Sequence, residues 1–234
     1  MTAVLELDGL SAGYGQVPVV RGLDLTVAAG EVVALLGPNG AGKTTTLLTV
    51  SGLLAPMGGG IRFLGTPVAG RKPYLLAREG MAHVPDDRGL FPGLTVSDHL
   101  DLGGGRRGRD AARDRVLGWF PQLEALLGRR AGLLSGGEQQ MLALAQALLR
   151  EPRLLMVDEM SLGLAPIVVE SLLPVVRRIA AESGCGVLLV EQHAPMALQV
   201  ADRAVVLNHG DVVATGSSDE LRRDWDRLLA SYLG

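Results

Sequence analysis

The sequence is poor in several residue types, and each shortage narrows the possible functions. Among 234 residues there is one cysteine, Cys185, so a disulfide framework is excluded and a reducing compartment is indicated. Aromatic residues make up 3% of the chain, so aliphatic side chains must build the core. Basic residues are not in excess either, since the net charge is −3 and the pI is about 5.8. This balance argues against a nucleic-acid-binding protein.

Long apolar runs are also missing, although 47% of the residues are hydrophobic. No run approaches the ~18 residues that a membrane-spanning helix needs. If the protein serves a membrane, we expect it to do so through a partner. One group of basic residues is dense, and a solvated loop and helix face explains it better than contact with phosphate or lipid. The group consists of Arg106, Arg107, Arg109, Arg113 and Arg115.

Short apolar segments alternate with helical patterns along most of the chain. This alternation predicts an α/β fold with a largely parallel sheet. The expected strands are residues 31–36, 153–158 and 187–191, with a helix over 43–53 and a hairpin over 203–215. In open α/β sheets ligands lie beyond the carboxyl ends of the strands, and two of these strands end on a carboxylate, Asp158 and Glu191.

The strand signal disappears between about residues 86 and 151. This stretch contains three consecutive glycines, an arginine-rich helical pattern and the amphipathic run from Met141 to Leu149. We expect a helical lobe inserted into the sheet domain. The predicted organisation is a single domain over 1–234, with a core lobe formed by 1–85 and 152–234 and a helical lobe formed by 86–151.

A glycine-rich segment directly after the first buried strand matches the phosphate-binding pattern G-x-x-x-x-G-K-[ST], and it stands between a predicted strand and a predicted helix, as this motif requires. Glycines let successive backbone N–H groups turn towards phosphate oxygens, and the helix N-terminus adds about half a positive charge. The segment consists of Gly37, Pro38, Asn39, Gly40, Ala41, Gly42, Lys43 and Thr44, followed by Thr45.

The distribution of lysine supports this site. Lys43 and Lys72 are the only lysines, beside twenty arginines. A compact ammonium at position 43 suits the outer phosphates of a nucleotide, where an arginine would not replace it. The Thr44 hydroxyl is a hard oxygen ligand of the kind that Mg²⁺ prefers. The sequence therefore predicts a nucleotide phosphate site with Mg²⁺.

Two acids follow the apolar strand of residues 153–158. Asp158 ends that strand and suits direct or indirect Mg²⁺ binding. Glu159 comes next, offset so that it can face an attacking water as a general base. A strand that ends in Asp-Glu means little alone, but the phosphate loop upstream favours a functional interpretation.

The segment Leu134-Ser135-Gly136-Gly137-Glu138-Gln139-Gln140 resembles the signature Leu-Ser-Gly-Gly-Gln of the ABC ATPases. It also fits a capping box, with Ser135 as N-cap and Glu138 three residues later. The resemblance extends over essentially the whole chain. It implies a RecA-like P-loop NTPase core with an inserted helical lobe and an N-terminal antiparallel β part.

The same resemblance implies an activity, which is hydrolysis of ATP with Mg²⁺ to drive transport. In that family the signature, here Ser135, Gly136, Gly137 and Glu138, binds the γ-phosphate held by the other subunit, so a nucleotide sandwich of two ATPase subunits is expected. Tyr14 stands where an aromatic residue stacks on adenine; a core or turn position is the alternative for this side chain.

A narrower group, the smaller ATPase of high-affinity branched-chain amino-acid importers, shares further segments. It implies a second ATPase that is a copy or a longer relative, transmembrane permease subunits, indirectly a solute-binding protein, and a place on the cytoplasmic face of the membrane. Importers of urea and short-chain amides have similar ATPases. The shared segments are 12–15, 84–88, 94–96, 135–141, 158–166 and 190–192.

Two departures from the family pattern concern candidate site residues. Many ABC ATPases have Gln where this chain has Asp86, and the narrower group commonly has Glu. Asp86 keeps the acid but is one methylene shorter, so a water bridge to Mg²⁺ is favoured over direct contact. By alignment Gln192 takes the place of the usual switch histidine, with His193 as the alternative. Neighbouring side chains of extended backbone point to opposite sides, so both face the γ-phosphate only if the strand has already ended.

Two other classes of protein are alternatives to a transport ATPase. A GTPase needs an Asn-Lys-x-Asp guanine reader, which a chain without lysine beyond Lys72 cannot have, and a small-molecule kinase needs no signature. A non-transport ABC protein acting on nucleic acid or ribosomes usually has two ATPase halves or long basic insertions. One half and an acidic pI disfavour it, so no nucleic-acid partner is expected.

Overall fold

The computed structural model describes residues 2–103 and 109–225, and two β-sheets organise this part of the chain. Apolar β-branched and leucine-rich segments form the strands, as their composition predicts. In chain order the strands are β1 (Ala3–Tyr14), β2 (Val17–Ala28), β3 (Val32–Leu36), β4 (Gly58–Phe63), β5 (Thr66–Pro67), β6 (Met81–Val84), β7 (Leu154–Asp158), β8 (Gly186–Glu191), β9 (Arg203–Asn208) and β10 (Asp211–Ser217).

The larger sheet has six strands in the order β10-β9-β3-β8-β7-β6. All neighbouring pairs are parallel except the hairpin of β9 and β10. β8 lies between β3 and β7, with Glu191 paired to Leu36 and Val190 paired to Asp158. The carboxyl ends of β3, β7 and β8 therefore meet at one edge of the sheet.

The smaller sheet is antiparallel and has the order β2-β1-β4-β5. With the parallel sheet, it confirms the expected α/β fold with an N-terminal antiparallel part. The predicted hairpin over 203–215 is also confirmed, because β9 and β10 flank a turn at His209 and Gly210.

The helices of the described residues fill the connections between strands. The helix after β3 ends at Val50 rather than at residue 53 as predicted, because Gly52 has φ of +73° and leaves the helical conformation. In chain order the helices are α1 (Lys43–Val50), α2 (Pro73–Arg78), α3 (Val96–Gly103), α4 (Arg109–Trp119), α5 (Gly136–Leu148), α6 (Pro166–Ser183), α7 (Ala194–Ala197) and α8 (Ser218–Arg223).

The stretch between β6 and β7 is helical, as the loss of strand signal predicts. It contains α3, α4 and α5 with two short 3₁₀ segments, Pro121–Leu126 and Ala131–Leu133. Its described part forms no strand beyond a single bridge between Thr95 and Arg130. Of the dense arginine group, Arg106 and Arg107 lie outside the described residues, whereas Arg113 and Arg115 form ion pairs with Asp101 and Glu151.

Aliphatic side chains pack on both faces of the larger sheet. Along β3, Val33 and Leu35 join the core shared with the antiparallel sheet and α1, whereas Val32, Ala34 and Leu36 join the core shared with α5 and α6. All five side chains are fully buried. Burying a leucine or valine contributes about 1.5–3 kcal/mol, so both faces stabilise the strand that leads into the glycine-rich loop.

Candidate functional site

The glycine-rich loop, residues 37–42, connects the end of β3 to the start of α1. Gly42 has φ of +106°, which favours glycine, and a Cβ there would lie 2.4 Å from Val20 Cγ2. A Cβ on Gly37 would lie 2.3 Å from the Leu207 carbonyl oxygen. The loop thus requires glycine at both positions. Between them, Asn39 and Gly40 are exposed, Pro38 is half-buried and Ala41 is buried.

Lys43 points back into this loop rather than into solvent. Its side chain is 3% exposed, and its ammonium donates to the carbonyls of Gly37 at 2.9 Å and Pro38 at 3.1 Å. The same ammonium lies 3.2 Å from Glu159 Oε1. The fold therefore brings the lysine of the loop and the second acid of the Asp-Glu pair into direct contact.

The next two threonines differ in environment. Thr44 is exposed, and its hydroxyl lies close enough to Asp158 to lower the pKa of that carboxyl. Thr45 is buried, and its carbonyl accepts the Thr49 hydroxyl at 2.7 Å within α1. Of the two, Thr44 thus has its hydroxyl at the acidic end of β7.

Asp158 is a buried carboxylate with unused hydrogen-bonding capacity. It is 2% exposed, and its Oδ1 has no hydrogen-bond partner within the described residues. Desolvation raises the pKa of Asp158 to about 6, assisted by the nearby Glu159 and Asp86 charges and opposed by the Thr44 hydroxyl and Lys43. A buried anionic oxygen in this position fits a cation, because an ion would offset the desolvation cost.

Glu159 has a left-handed backbone conformation, with φ of +44°. Its N–H donates to the Val190 carbonyl at 2.9 Å, so the neighbouring strand holds it in place. A non-glycine residue in this region is strained, and such strain persists only where the surroundings fix it.

Asp86 lies in the exposed segment after β6. Its carboxylate accepts the Asp87 N–H at 2.9 Å, and it is close enough to act on the pKa of Asp158. No three His, Cys, Asp or Glu side chains form a metal cluster in the part of the chain that the structure describes. A metal here would need ligands from a bound molecule or water besides Asp158, Thr44 and Asp86.

Gln192 and His193 both lie just beyond the end of β8. The alternation of side chains along a strand therefore cannot decide which of them faces the ligand. The strand stops at Glu191, so both residues follow it, and both are exposed. His193 occupies the N-cap of α7. Because the strand has already ended, both side chains can face one ligand.

Sequence reasoning missed the role of Glu191 beyond its place at a strand end. It is 2% exposed, and its two carboxylate oxygens accept the Ser161 N–H at 3.0 Å and the Ser161 hydroxyl at 2.6 Å. Burial raises the pKa of Glu191 against these hydrogen bonds. The sequence signal for such a role was a carboxylate at the end of an otherwise apolar, buried strand.

The start of α5 has the predicted capping box. The Ser135 hydroxyl accepts the Glu138 N–H at 3.3 Å, and the Glu138 carboxylate accepts the Ser135 N–H at 2.7 Å. Both glycines also have a packing role. A Cβ on Gly136 would lie 2.9 Å from Leu164 Cδ2, and one on Gly137 would lie 2.6 Å from Val168 Cγ1.

Tyr14 lies at the end of β1, in the hairpin that joins β1 to β2. Its side chain is 54% exposed, and it is paired with Val17. On β2, Val20 packs against Gly42 of the glycine-rich loop. The tyrosine is thus on a strand pair that borders the loop, and it is not a core residue.

Comparison with known proteins decides the family. The ABC transporter family model matches residues 20–161. The chain is 41% identical to the high-affinity branched-chain amino acid transport ATP-binding protein BraG of Pseudomonas aeruginosa, over 99% of this chain and 100% of that protein. The chain belongs to the ABC transporter family. Since ATP-binding proteins of this family hydrolyse ATP to power transport, it is an ABC ATPase.

Two further relatives agree with this assignment. The ABC ATPase is 31% identical to the branched-chain amino acid transport protein BraF of the same organism, over 99% of this chain and 98% of that protein. A solved structure of an ATP binding subunit of an ABC transporter matches it with a TM-score of 0.81 and 34% identity, covering 98% of this chain and 96% of that one. Within the described ranges, no helix of the ABC ATPase is long and apolar enough to cross a membrane.

Proposed function

We propose that this ABC ATPase is the energy-supplying subunit of an importer of branched-chain amino acids. The convergence of Lys43, Thr44, Asp158 and Glu159 at one sheet edge supports the hydrolytic site. The full-length similarity to BraG supports the substrate class, and it exceeds the similarity to BraF.

In this proposal the glycine-rich loop and Lys43 hold the phosphates of ATP, and Tyr14 stacks on the adenine. Backbone N–H groups and the start of α1 provide the positive potential. The side chain of Lys43 adds a positive charge, and its ammonium would exchange the loop carbonyls for phosphate oxygens when ATP binds. The proposed contacts of the loop are Gly37, Pro38, Asn39, Gly40, Ala41, Gly42, Lys43, Thr44 and Thr45.

Asp158, Thr44 and Asp86 fit Mg²⁺ by the chemistry of their oxygens. Thr44 lies close enough to Asp158 to lower its pKa, and Oδ1 of Asp158 is without a hydrogen-bond partner in the described structure. We assign Asp158 and Thr44 to the ion, with Asp86 reaching it through water. The ion would neutralise charge on the outer phosphates during hydrolysis.

Glu159 is the proposed general base. Its carboxylate accepts a proton from water as the water oxygen attacks the γ-phosphorus, and the bond to the β-phosphate oxygen breaks to give ADP and phosphate. Lys43, 3.2 Å from this carboxylate, keeps positive charge next to the reacting groups. Contact with Lys43 also keeps Glu159 directed at the phosphate loop.

Substitution of Glu159 tests this mechanism. Glu159→Gln should bind ATP about as well as the parent chain, because the residue has no role in holding nucleotide, yet it should turn over at least about 100-fold more slowly and accumulate as an ATP-bound dimer. Turnover and gel filtration with MgATP are the measurements. Normal turnover with only monomer present would refute the assignment.

The choice between Gln192 and His193 as switch residue needs its own experiment. We propose Gln192, on the alignment of Val190-Glu191-Gln192 with the family pattern. Gln192→Ala should then slow hydrolysis far more than His193→Ala. The reverse ranking in a steady-state ATPase assay would transfer the role to His193.

The assembly proposed for this chain is a head-to-tail ATPase pair. The signature, Ser135 to Glu138 in the helical lobe (86–151), would contact the ATP held by the core lobe (1–85 and 152–234) of a partner. That partner is a second copy or a related, longer ATPase. The pair would lie on the cytoplasmic face of the membrane, bound to permease subunits that receive solute from a binding protein.

Uptake measurements test the substrate class. A strain that lacks the chain should lose high-affinity uptake of leucine, isoleucine and valine, and the parent gene should restore it. Glu159→Gln is the matched control, since it should fold and assemble without restoring uptake. Loss of urea or amide uptake instead would contradict the amino-acid assignment and leave the ATPase assignment intact.

A further inference from the structure

The loop that follows β7, residues 159–165, is fixed from the side of the core lobe. Glu191 uses both carboxylate oxygens on Ser161, at 3.0 Å to its N–H and 2.6 Å to its hydroxyl. Within the loop, the Leu162 N–H donates to the Glu159 carbonyl at 2.9 Å. This hydrogen bond connects the position of Leu162 to the backbone of Glu159.

Arg88 contacts the same loop from the segment after β6. Its guanidinium has three nitrogens, and each donates to a different oxygen. Nη1 donates to Gln139 Oε1 at 2.8 Å and Nε to Gln140 Oε1 at 3.2 Å, both on α5. Nη2 donates to the Leu162 carbonyl through a longer contact of 3.4 Å. One side chain thus joins α5, the signature helix that begins at Gly136, to residues 159–165, the loop that carries Glu159.

Direct packing reinforces this connection. At the first residue of α5, an ideal Cβ on Gly136 would lie 2.9 Å from Leu164 Cδ2, 3.6 Å from Arg88 Nη2 and 3.8 Å from the Gly163 carbonyl oxygen. The signature helix therefore begins directly on the loop and on the arginine. Arg88 itself has φ of +67°, a strained conformation for a non-glycine residue that such a network of contacts can hold.

We propose that Arg88 is a positioning residue for ATP hydrolysis, which couples the orientation of the signature helix to the loop that carries Glu159 in the same subunit. This inference rests on the proposed role of Glu159 as general base. The backbone strain at Glu159 makes its geometry dependent on the loop, and the loop depends on Arg88 and Glu191. Arg88 makes no hydrogen bond to residues 37–44 in the described structure, so its loss should affect turnover and not ATP affinity.

The planar guanidinium of Arg88, rather than its charge alone, makes this connection. A lysine keeps the charge, but its ammonium is a compact group that cannot reach oxygens on two elements in the fixed geometry of a guanidinium. Arg88→Lys should therefore be nearly as defective as Arg88→Ala. A residue needed only for its positive charge would show the opposite.

The test compares Arg88→Ala and Arg88→Lys with the control Arg115→Ala in the full chain, with whatever partner subunits turnover requires. Arg115 is also paired, to Glu151, but lies with Arg153 at the opposite end of β7. For both Arg88 variants we expect kcat to fall roughly 10- to 100-fold, the effect of a small misplacement of a reacting group. Equilibrium ATP binding should stay within about twofold of the parent, and the control should keep parental kcat.

A double-mutant cycle shows whether Arg88 acts through α5. If it does, Arg88→Ala combined with Gln139→Ala should lower kcat little more than Arg88→Ala alone, because both changes break the same connection. Additive losses would overturn the coupling. Melting temperatures are measured in parallel, and a fall in ATP affinity and melting temperature together with kcat would mean a structural role and would also overturn it.

Glu159→Gln, assayed beside these variants, separates the two claims. If Glu159→Gln retains parental turnover, the proposed base is wrong. If Glu159→Gln is inactive while Arg88→Ala keeps kcat within about twofold of Arg115→Ala, the proposed function stands and the coupling through Arg88 is wrong.

Discussion

The two glycine-rich helix starts of this ABC ATPase, at α1 and α5, look alike in sequence and differ in chemistry. α1 begins after Gly42, which has a left-handed conformation and no side-chain cap, and Lys43 places an ammonium at the loop. α5 begins after Ser135, whose capping box with Glu138 uses two N–H groups and adds a carboxylate. Hydrogen bonds from Ser135 hold the pKa of Glu138 below its usual value, so this carboxylate is charged at neutral pH.

This difference indicates a division of roles. In the proposed function, the backbone N–H groups and the ammonium make the start of α1 a phosphate site within one subunit. At α5 a negative charge opposes an approaching phosphate, so this helix start should bind only a nucleotide that is already held elsewhere. The sandwich proposed above requires this unequal pair of sites.

The largest expected effect is at Lys43. Lys43→Ala removes the ammonium and leaves Glu159 without its ion-pair partner. We expect ATP binding to weaken and turnover to fall by roughly 100-fold or more, as when a donor to a developing charge is lost. Turnover within a few-fold of the parent in a MgATP assay would show that the α1 site works without its cation.

The second prediction tests whether the starts of α1 and α5 act on nucleotides bound to different subunits. In the proposed sandwich the α5 start serves the partner's nucleotide, so Ser135→Arg should leave ATP binding by the isolated chain unchanged but block pair closure and turnover. Nucleotide binding and steady-state ATPase are the measurements. Loss of ATP binding by the isolated variant would place the signature in its own chain's site.

Mixing supplies the control for a homodimer. A pair of one Ser135→Arg subunit and one Lys43→Ala subunit has both lesions in the same composite site and one intact site. Partial recovery of ATPase on mixing is expected, whereas each variant alone should remain inactive. Absence of recovery, with mixed dimers demonstrated by pull-down, would contradict independent composite sites.

Glycine replacement gives an intermediate effect on stability. Gly42→Ala imposes a left-handed alanine and a Cβ 2.4 Å from Val20 Cγ2, so we expect a loss of about 2–5 kcal/mol in the free energy of unfolding. Gly137→Ala brings only the clash with Val168 Cγ1 at 2.6 Å, and about 1–3 kcal/mol should be lost. Urea denaturation of both variants checks the ranking, which an equal loss would contradict.

The smallest effect concerns the carboxylate at α5. Glu138→Gln keeps a side chain that can complete the capping box but removes the negative charge, which in the proposed sandwich would face the partner's phosphates. The KM for ATP should decrease roughly two- to fivefold, the size of one charge near a helix N-terminus. An unchanged KM would mean that the charge of this carboxylate has no effect on nucleotide binding.

The same variant has a defined pH signature. The pKa of Glu138 is lowered in the folded chain, so its contribution to stability is present above its unfolded pKa and is lost as pH falls through the folded pKa. The stability of the parent relative to Glu138→Gln should therefore decline as pH is lowered from 7 through the acidic range. If the difference in unfolding free energy between the parent and Glu138→Gln is constant with pH, the capping hydrogen bonds do not favour the charged form of Glu138.

Both helix starts were predictable from the sequence because their signals are local. The glycine pattern follows a buried strand, and Ser135 and Glu138 have capping-box spacing. The hairpin at 203–215 is of the same kind, since its turn residues lie between two apolar runs. The predicted end of α1 at residue 53 was wrong, because a single glycine, Gly52, leaves the helical conformation and the helix stops at Val50.

The amino-acid sequence by itself determined the α/β fold, the glycine-rich loop and the position of the acids at the end of β7, since the spacing of apolar residues and short motifs encode them. Only the tertiary structure decided which distant groups meet. It brought Lys43 to Glu159, Glu191 to Ser161, and Arg88 to α5 and Leu162. The physical reason is the strand order: β8 lies between β3 and β7, and periodicity within one strand carries no information about its neighbours.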